Sequence, residues 1–317
     1  MSRRRNLITA ISLCALTLAA VGAGTAALAD SSEDGSASAG PGSRHRGEAL
    51  ISDEDAAAIN VDADITYREV DGEQLKLNVC RADDAEGPQS AVLVIHGGGF
   101  RAGDKDSRQW QGICRWVAHA GYVAIDVNYR LAPEHPYPAA FDDVQAAVAW
   151  AREHADDYGI DPDRIGALGG SAGANLAQLL GTVGEGSTDN GSRVASVVSL
   201  SGPSDLTEAA LALGEPDERQ IQTVLDYLGC TEITDCPAAE AASPISQVDA
   251  SDPPFLIVAS ADERMPVEQA QALADALTEA DATPEMLIRP GHAHSVRLLI
   301  DRRVRQAVLD FLEQTLR

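Results

Sequence analysis

A mainly parallel α/β sheet with helices on both faces is the fold class this sequence predicts. Short, β-branched apolar runs recur along it: AVLVIHG, YVAIDVNY, RIGALGG, RVASVVSLSG, FLIVASAD and EMLIRP. Helix-forming stretches separate them, at 107–120, 139–154, 172–183 and 266–279, and another closes the chain at 295–316. The runs are apolar throughout, which is how a strand reads when both faces of its sheet are covered. Ahead of them, ITYREV and QLKLNVC do alternate, with DGE between them. That is a hairpin signal, and it predicts an antiparallel start to the sheet.

The first 29 residues stand outside this fold. Arg3, Arg4 and Arg5 precede an apolar stretch that ends in Ala27-Leu28-Ala29. This is the layout of a secretory signal peptide, cleaved after Ala29, and it predicts an extracytoplasmic protein. SRRRNL is a loose twin-arginine match. The competing reading is an uncleaved anchor, because 7–29 is nearly long enough to span a bilayer. A lipoprotein reading through Cys14 is poorer, because Leu13 stands where a small residue is needed. Residues 30–48, rich in Ser, Gly, Ala and Asp, read as a flexible linker. A single large domain, 49–317, follows. It opens on a short helix in SDEDAAAINV with Ser52 as its cap. The stretch 203–254 falls outside the strand–helix rhythm and reads as an insertion over the strand ends, placed to shape a pocket.

A hydrophobic fraction of 44% fits a substantial core. The formal charge of −25 argues against nucleic acid or an anionic membrane as partner and describes a solvated acidic surface. Export bears on the cysteines. Cys14 leaves with the leader, and Cys80, Cys114, Cys230 and Cys236 remain. An even count in an oxidising compartment predicts disulfides. Cys230 and Cys236 bracket the short loop CTEITDC, which leaves Cys80 with Cys114; four unpaired buried thiols are the alternative. No spacing resembles a metal site.

Ligands of such sheets bind at the carboxyl ends of the strands. There, Gly169-Gly170-Ser171-Ala172-Gly173 is a G-x-S-x-G with a strand running in and an Ala/Leu-rich helix running out, the setting of a nucleophile elbow. A serine hydroxyl needs a base, and RPGHAHSVRLL offers His292 and His294 between the last strand and the last helix. The base needs an acid to hold it. Asp262 follows a buried strand in FLIVASADERMP, with Glu263 as the fallback. Upstream, VIHGGGFRAG ends a strand in bare backbone. It lacks the lysine of a phosphate loop and the spacing of a dinucleotide fingerprint.

With HGGGF at 96–100, NYRLAPEHPYPAAFDDV at 128–144, GGSAGANLA at 169–177 and ASPISQVDASDPPFLIVASAD at 242–262, the chain resembles the α/β-hydrolase superfamily. Within it, the likeness is to the hormone-sensitive-lipase-like and bacterial carboxylesterase branch, on its feruloyl-esterase-like side. The resemblance implies an α/β-hydrolase fold and makes 49–317 one catalytic domain. It implies Ser171 as nucleophile, Asp262 as acid and His294 as base, since the family places the base as G-x-x-H and Gly291 supplies the glycine. It implies an oxyanion hole of the Gly98, Gly99 and Ala172 amides, with His96, Glu134 and His135 as supports of their loops. The implied activity is hydrolysis of a small carboxylic ester, with no metal or organic cofactor and no stable membrane partner. Amide, formamide or peptide hydrolysis uses the same triad, and a non-catalytic binding protein would share the fold. No strongly apolar lid is visible, and four Phe and three Trp are few for an interfacial lipase, so a short acyl chain is expected. Three positions depart from the family pattern: Ser260 for glycine, Asn128 for aspartate, and Ser295-Val296 for Gly-Phe after the base.

Overall fold

The computed structural model describes residues 50–82, 87–211, 213 and 216–317. The expected leader and linker lie outside the described residues. Helix α1 (Asp53–Ala57) opens them, and its Ser52 cap accepts the Asp55 N–H at 3.0 Å. Strands β1 (Ile59–Val70) and β2 (Glu73–Ala82) form the hairpin, with Val70 opposite Glu73. Asp71 and Gly72 both take positive φ in its two-residue turn, as such a turn demands.

The remaining elements alternate. They are β3 (Gln89–Ile95), α2 (Arg108–His119), β4 (Val123–Val127), α3 (Ala139–Glu153), α4 (Ala155–Tyr158), β5 (Ile160–Gly170) and α5 (Ala172–Thr182). After β6 (Ser196–Leu200) come α6 (Glu208–Leu211), α7 (Glu218–Leu228) and α8 (Pro237–Ala241), all within the expected insertion. The chain ends with β7 (Phe255–Ser260), α9 (Val267–Glu279), β8 (Pro284–Arg289) and α10 (Arg302–Leu316). The eight strands order as β1-β2-β4-β3-β5-β6-β7-β8. β2 is antiparallel to β1 and to β4, and every later pairing is parallel.

Strand periodicity divides the core in two. Ala91, Leu93 and Ile95 of β3 face one cluster with α3, α5 and α9; Val92 and Val94 face the other with α2 and α10. β7 repeats the division, with Phe255, Ile257 and Ala259 on one side and Leu256 and Val258 on the other. Burying each such large side chain stabilises by about 1.5–3 kcal/mol. The closing helix expected over 295–316 is divided: Ser295–Ile300 is 3₁₀, and α10 starts afresh after Asp301. The Asp301 carboxylate accepts the Arg303 N–H at 2.9 Å and pairs with Arg289 of β8, so one side chain both caps a new helix and anchors it to the sheet.

Both disulfides form. Cys80–Cys114 ties β2 to α2 in the core, and Cys230–Cys236 closes the loop after α7. The first pair is buried; the second is half-buried. Mild reduction of the folded protein followed by alkylation and mass spectrometry is therefore expected to modify Cys230 and Cys236 well before Cys80 and Cys114. Equal rates would contradict the burial. Loop closure alone predicts that removing Cys80–Cys114 costs up to about 4 kcal/mol, against about 2 for the shorter loop, readable as melting temperatures.

Candidate active site

Strand β5 delivers Ser171 to the top of the sheet at φ 55° and ψ −119°, a left-handed backbone with α5 starting at the next residue. The Ser171 N–H donates to Leu200 O at 2.9 Å, extending the β5–β6 ladder by one bond. The flanking glycines answer to space. A Cβ on Gly169 would stand 2.0 Å from Gly173 O, and one on Gly173 would stand 2.2 Å from Ile95 O.

The glycine loop lies against this elbow because β3 is the neighbour of β5, with Ile95 opposite Gly169. A Cβ built on Gly97 would meet Gly170 O at 2.6 Å and Ser171 Cβ at 3.2 Å. Gly98, at φ 136°, turns the loop so tightly that a Cβ would fall 1.8 Å from Ala102 O. Its carbonyl accepts the N–H groups of Arg101 and Ala102 at 3.3 and 3.2 Å. Ala172 is the first residue of α5, where an amide has no partner within its own helix. His96 is buried and stacks on Tyr129, with ring centroids 4.3 Å apart. Burial lowers its pKa, and Nδ1 donates to Gly97 O at 3.0 Å. His135 reaches Glu73 of the hairpin at 3.5 Å, while Glu134 is exposed.

His294 Nε2 stands 3.0 Å from Ser171 Oγ. Its Nδ1 is bonded to Glu263 Oε2, and the Glu263 side chain is wholly buried. A carboxylate accepting from Nδ1–H leaves Nε2 as the acceptor for the serine hydroxyl. Asp262, the acid expected from the sequence, is not at the imidazole; the carboxylate at His294 Nδ1 is that of Glu263. The reason is the turn after β7. Asp262 spends its backbone on the base loop, donating N–H to Gly291 O at 3.1 Å and accepting His292 Nδ1–H at 2.5 Å. Its side chain points to solvent. The next side chain turns inward, where Glu263 Oε1 accepts the Ser260 N–H at 2.8 Å and the Ser201 hydroxyl at 2.9 Å. His292 is exposed and makes no contact with Ser171 among the described hydrogen bonds.

Sequence reasoning missed Ser201 and α7. Phe100 stacks on Tyr227 of α7 at 3.6 Å, Arg101 pairs with Asp226 at 3.1 Å, and a Cβ on Gly99 would lie 3.0 Å from Thr223 Cγ2. One departure from the family pattern acquires a reason and another is thrown into relief. Asn128 accepts the Lys105 N–H at 2.7 Å and donates to Asp104 at 3.3 Å, and an aspartate could not do the second. Ser295 sits at φ 58°, the conformation for which glycine is the ordinary choice.

The BD-FAE family matches residues 77–277, more than half of the chain. Esterase LipQ of Mycobacterium tuberculosis is 32% identical over 245 residues, covering 73% of this chain and 57% of its own length. The chain spans 30 to 57% of the length of this and two other mycobacterial relatives. Among solved structures, a truncated carbohydrate esterase from gut microbiota superposes with TM-score 0.71 at 24% identity, over 81% of this chain and 96% of that one. Esterase 2 of the planctomycete Thermogutta terrifontis, with butyrate bound, gives 0.64 at 25% identity over 82% and 93%. The fold is that of the α/β-hydrolase esterases.

The partner of His294 Nδ1 is checked without any substrate. A downfield proton resonance from His294 Nδ1–H is expected in the resting protein. It disappears in Glu263→Gln and persists in Asp262→Asn; the reverse pattern would return the position to Asp262.

Proposed function

The chain belongs to the BD-FAE family, and from that premise we propose that it is a serine esterase acting on small carboxylic esters. The observation that carries the reading is the continuous contact from Glu263 through His294 to Ser171 Oγ, with the glycine loop packed beside the serine. In this reading Ser171 Oγ attacks the acyl carbon as His294 Nε2 takes its proton. Glu263 holds the Nδ1–H tautomer and stabilises the imidazolium that forms. The amides of Gly98, Gly99 and Ala172 receive the negative charge that develops on the carbonyl oxygen. His294 returns the proton to the departing alcohol, and water repeats the sequence to release the acid. The residues present supply every proton transfer, so the scheme calls on no further group.

A short acyl chain is the proposed substrate class. It is supported by the scarcity of aromatic side chains for a lipid-binding lid and by the butyrate held by the Thermogutta esterase. The insertion supports the same reading, because Thr223 of α7 closes against Gly99 of the proposed oxyanion hole. Export is proposed from the leader and the two disulfides. No described helix is long and apolar enough to cross a membrane.

The deciding experiment assays the purified protein on p-nitrophenyl esters of increasing acyl length, beside amide and peptide substrates. A fluorophosphonate probe is expected to label Ser171, with ester turnover falling off at long acyl chains. Ser171→Ala is expected to lose roughly 10⁶ in kcat and Glu263→Gln roughly 10⁴, while Asp262→Asn stays within a few-fold. Full activity in Ser171→Ala, or preferred cleavage of amides, would sink the reading. The glycine loop supplies an independent check. Gly98→Ala forces a Cβ into the Ala102 carbonyl and is expected to cost at least the ~100-fold of a lost oxyanion donor. Gly99→Ala is strained by its φ of 63° but meets only the Thr223 methyl, at 3.0 Å, and is expected to lose at least tenfold less in kcat than Gly98→Ala.

A further inference from the structure

We propose that Ser201 is a positioning residue: its hydroxyl joins the loop that carries the acid to the loop that carries the base and fixes the Glu263 carboxylate in the orientation His294 needs. The proposal rests on the serine-esterase reading above. Ser201 follows β6, the strand between those that end at the nucleophile and at the acid. It is 2% exposed. Its N–H donates to Val258 O at 2.8 Å, which sets the residue one step beyond the β6–β7 ladder.

Two hydrogen bonds define its task. Ser201 Oγ accepts the N–H of Ser295, the residue after the base, at 2.9 Å. It also lies 2.9 Å from Glu263 Oε1. An amide N–H can only donate and an ionised carboxylate can only accept, so the hydroxyl proton has one direction, toward Glu263. The Ser260 N–H is the second donor to the same oxygen, at 2.8 Å. With Oε1 held by two donors, Oε2 is left facing His294 Nδ1. The terminal torsion of a glutamate is broad and nearly two-fold, so packing alone does not set that orientation. Deleting the hydroxyl leaves one donor and frees the carboxylate to turn away from the imidazole.

The backbone argues the same way. Ser201 occupies φ 57°, where glycine is the low-strain choice. A serine held there has a use for its side chain, and the two bonds above are that use. Ser201 touches neither Ser171 nor the proposed oxyanion amides by any described hydrogen bond, so it acts through Glu263 and through the loop of His294 that its oxygen holds at Ser295.

The test measures kcat and KM on p-nitrophenyl butyrate for Ser201→Ala and Ser201→Gly, each in the wild-type and the Glu263→Gln background, with melting temperatures alongside. Glycine suits the left-handed backbone, so Ser201→Gly separates loss of the hydroxyl from failure to fold. Both single variants are expected to lose kcat by about 10- to 100-fold, the worth of a hydrogen bond to a charged group, with KM unchanged within about two-fold. In the Glu263→Gln background the same substitutions are expected to cost several-fold less in kcat, because the charged carboxylate they orient is already gone and chiefly the bond to the Ser295 N–H is lost. Wild-type kcat in Ser201→Gly, or losses that multiply across the two backgrounds, would overturn the proposal while leaving the esterase reading in place. Retained activity in a Ser171→Ala control would overturn both.

Discussion

Ile95 and Gly169 are Cα partners in the parallel β3–β5 ladder, and the candidate site depends on that pairing. The glycine loop and the serine elbow are some seventy residues apart in the chain. They meet because each is the continuation of one of these adjacent strands past its carboxyl end. β3 enters the middle of the sheet, and the chain then winds out to both sides, which is the arrangement that opens a crevice over strand ends. The register is not free to slip. A shift of one residue would exchange Leu93 and Ile95 with Val92 and Val94 between the two cores. Burial on both faces of the sheet thus sets the distance between Gly97 and Ser171 as firmly as any contact in the site itself.

Past their ends the strands keep bonding for one more residue. Ser171 N–H reaches Leu200 O on β6, Ser201 N–H reaches Val258 O on β7, and Ala261 N–H reaches Arg289 O on β8. The first two of these steps place a serine at positive φ, and Ser295 is a third, with its amide bonded to Ser201. Each left-handed non-glycine residue costs about 1–3 kcal/mol and persists only where its surroundings over-determine it. Here the extended ladder does so. It also swings each side chain off the strand's alternation and up over the sheet. Backbone strain, serine placement and the convergence of three loops are one device in this protein.

The strands, the hairpin, both disulfides and the elbow at Ser171 were legible in the sequence because periodicity, glycine spacing and cysteine parity are local signals. The acid was not. Asp262 and Glu263 differ by one position in a turn, where no period dictates which side chain faces inward. The choice is made by the Asp262 backbone, which bonds to Gly291 and His292 thirty residues away. The division of the last helix escaped for a related reason. Its pattern reads as continuous, but Asp301 is claimed by Arg289 of β8 and by the amide of Arg303. Ser201 has no motif of its own. Only the neighbours that the parallel sheet brings to it reveal what its hydroxyl holds.

The insertion reaches a part of the candidate site that the sheet does not fix. Beyond Ile95 the glycine loop leaves the ladder, and its shape then depends on contacts to α7. Phe100, itself at positive φ, lies flat against Tyr227, and Arg101 pairs with Asp226 on the same helix. The helix is in turn closed by Gly229 in the left-handed conformation and by the Cys230–Cys236 bridge immediately after it. Two supports of different character therefore meet at Ser171. The elbow and the acid–base loops hang from a buried ladder that tolerates no slip. Of the donors proposed for the oxyanion, Ala172 belongs to the elbow, whereas Gly98 and Gly99 lie in a loop that packs on a half-exposed helix outside the sheet. Changes in α7 can reshape the space beside Gly99 without disturbing β3 or β5, so under the proposed function the choice of substrate is set there and not in the sheet that carries Ser171.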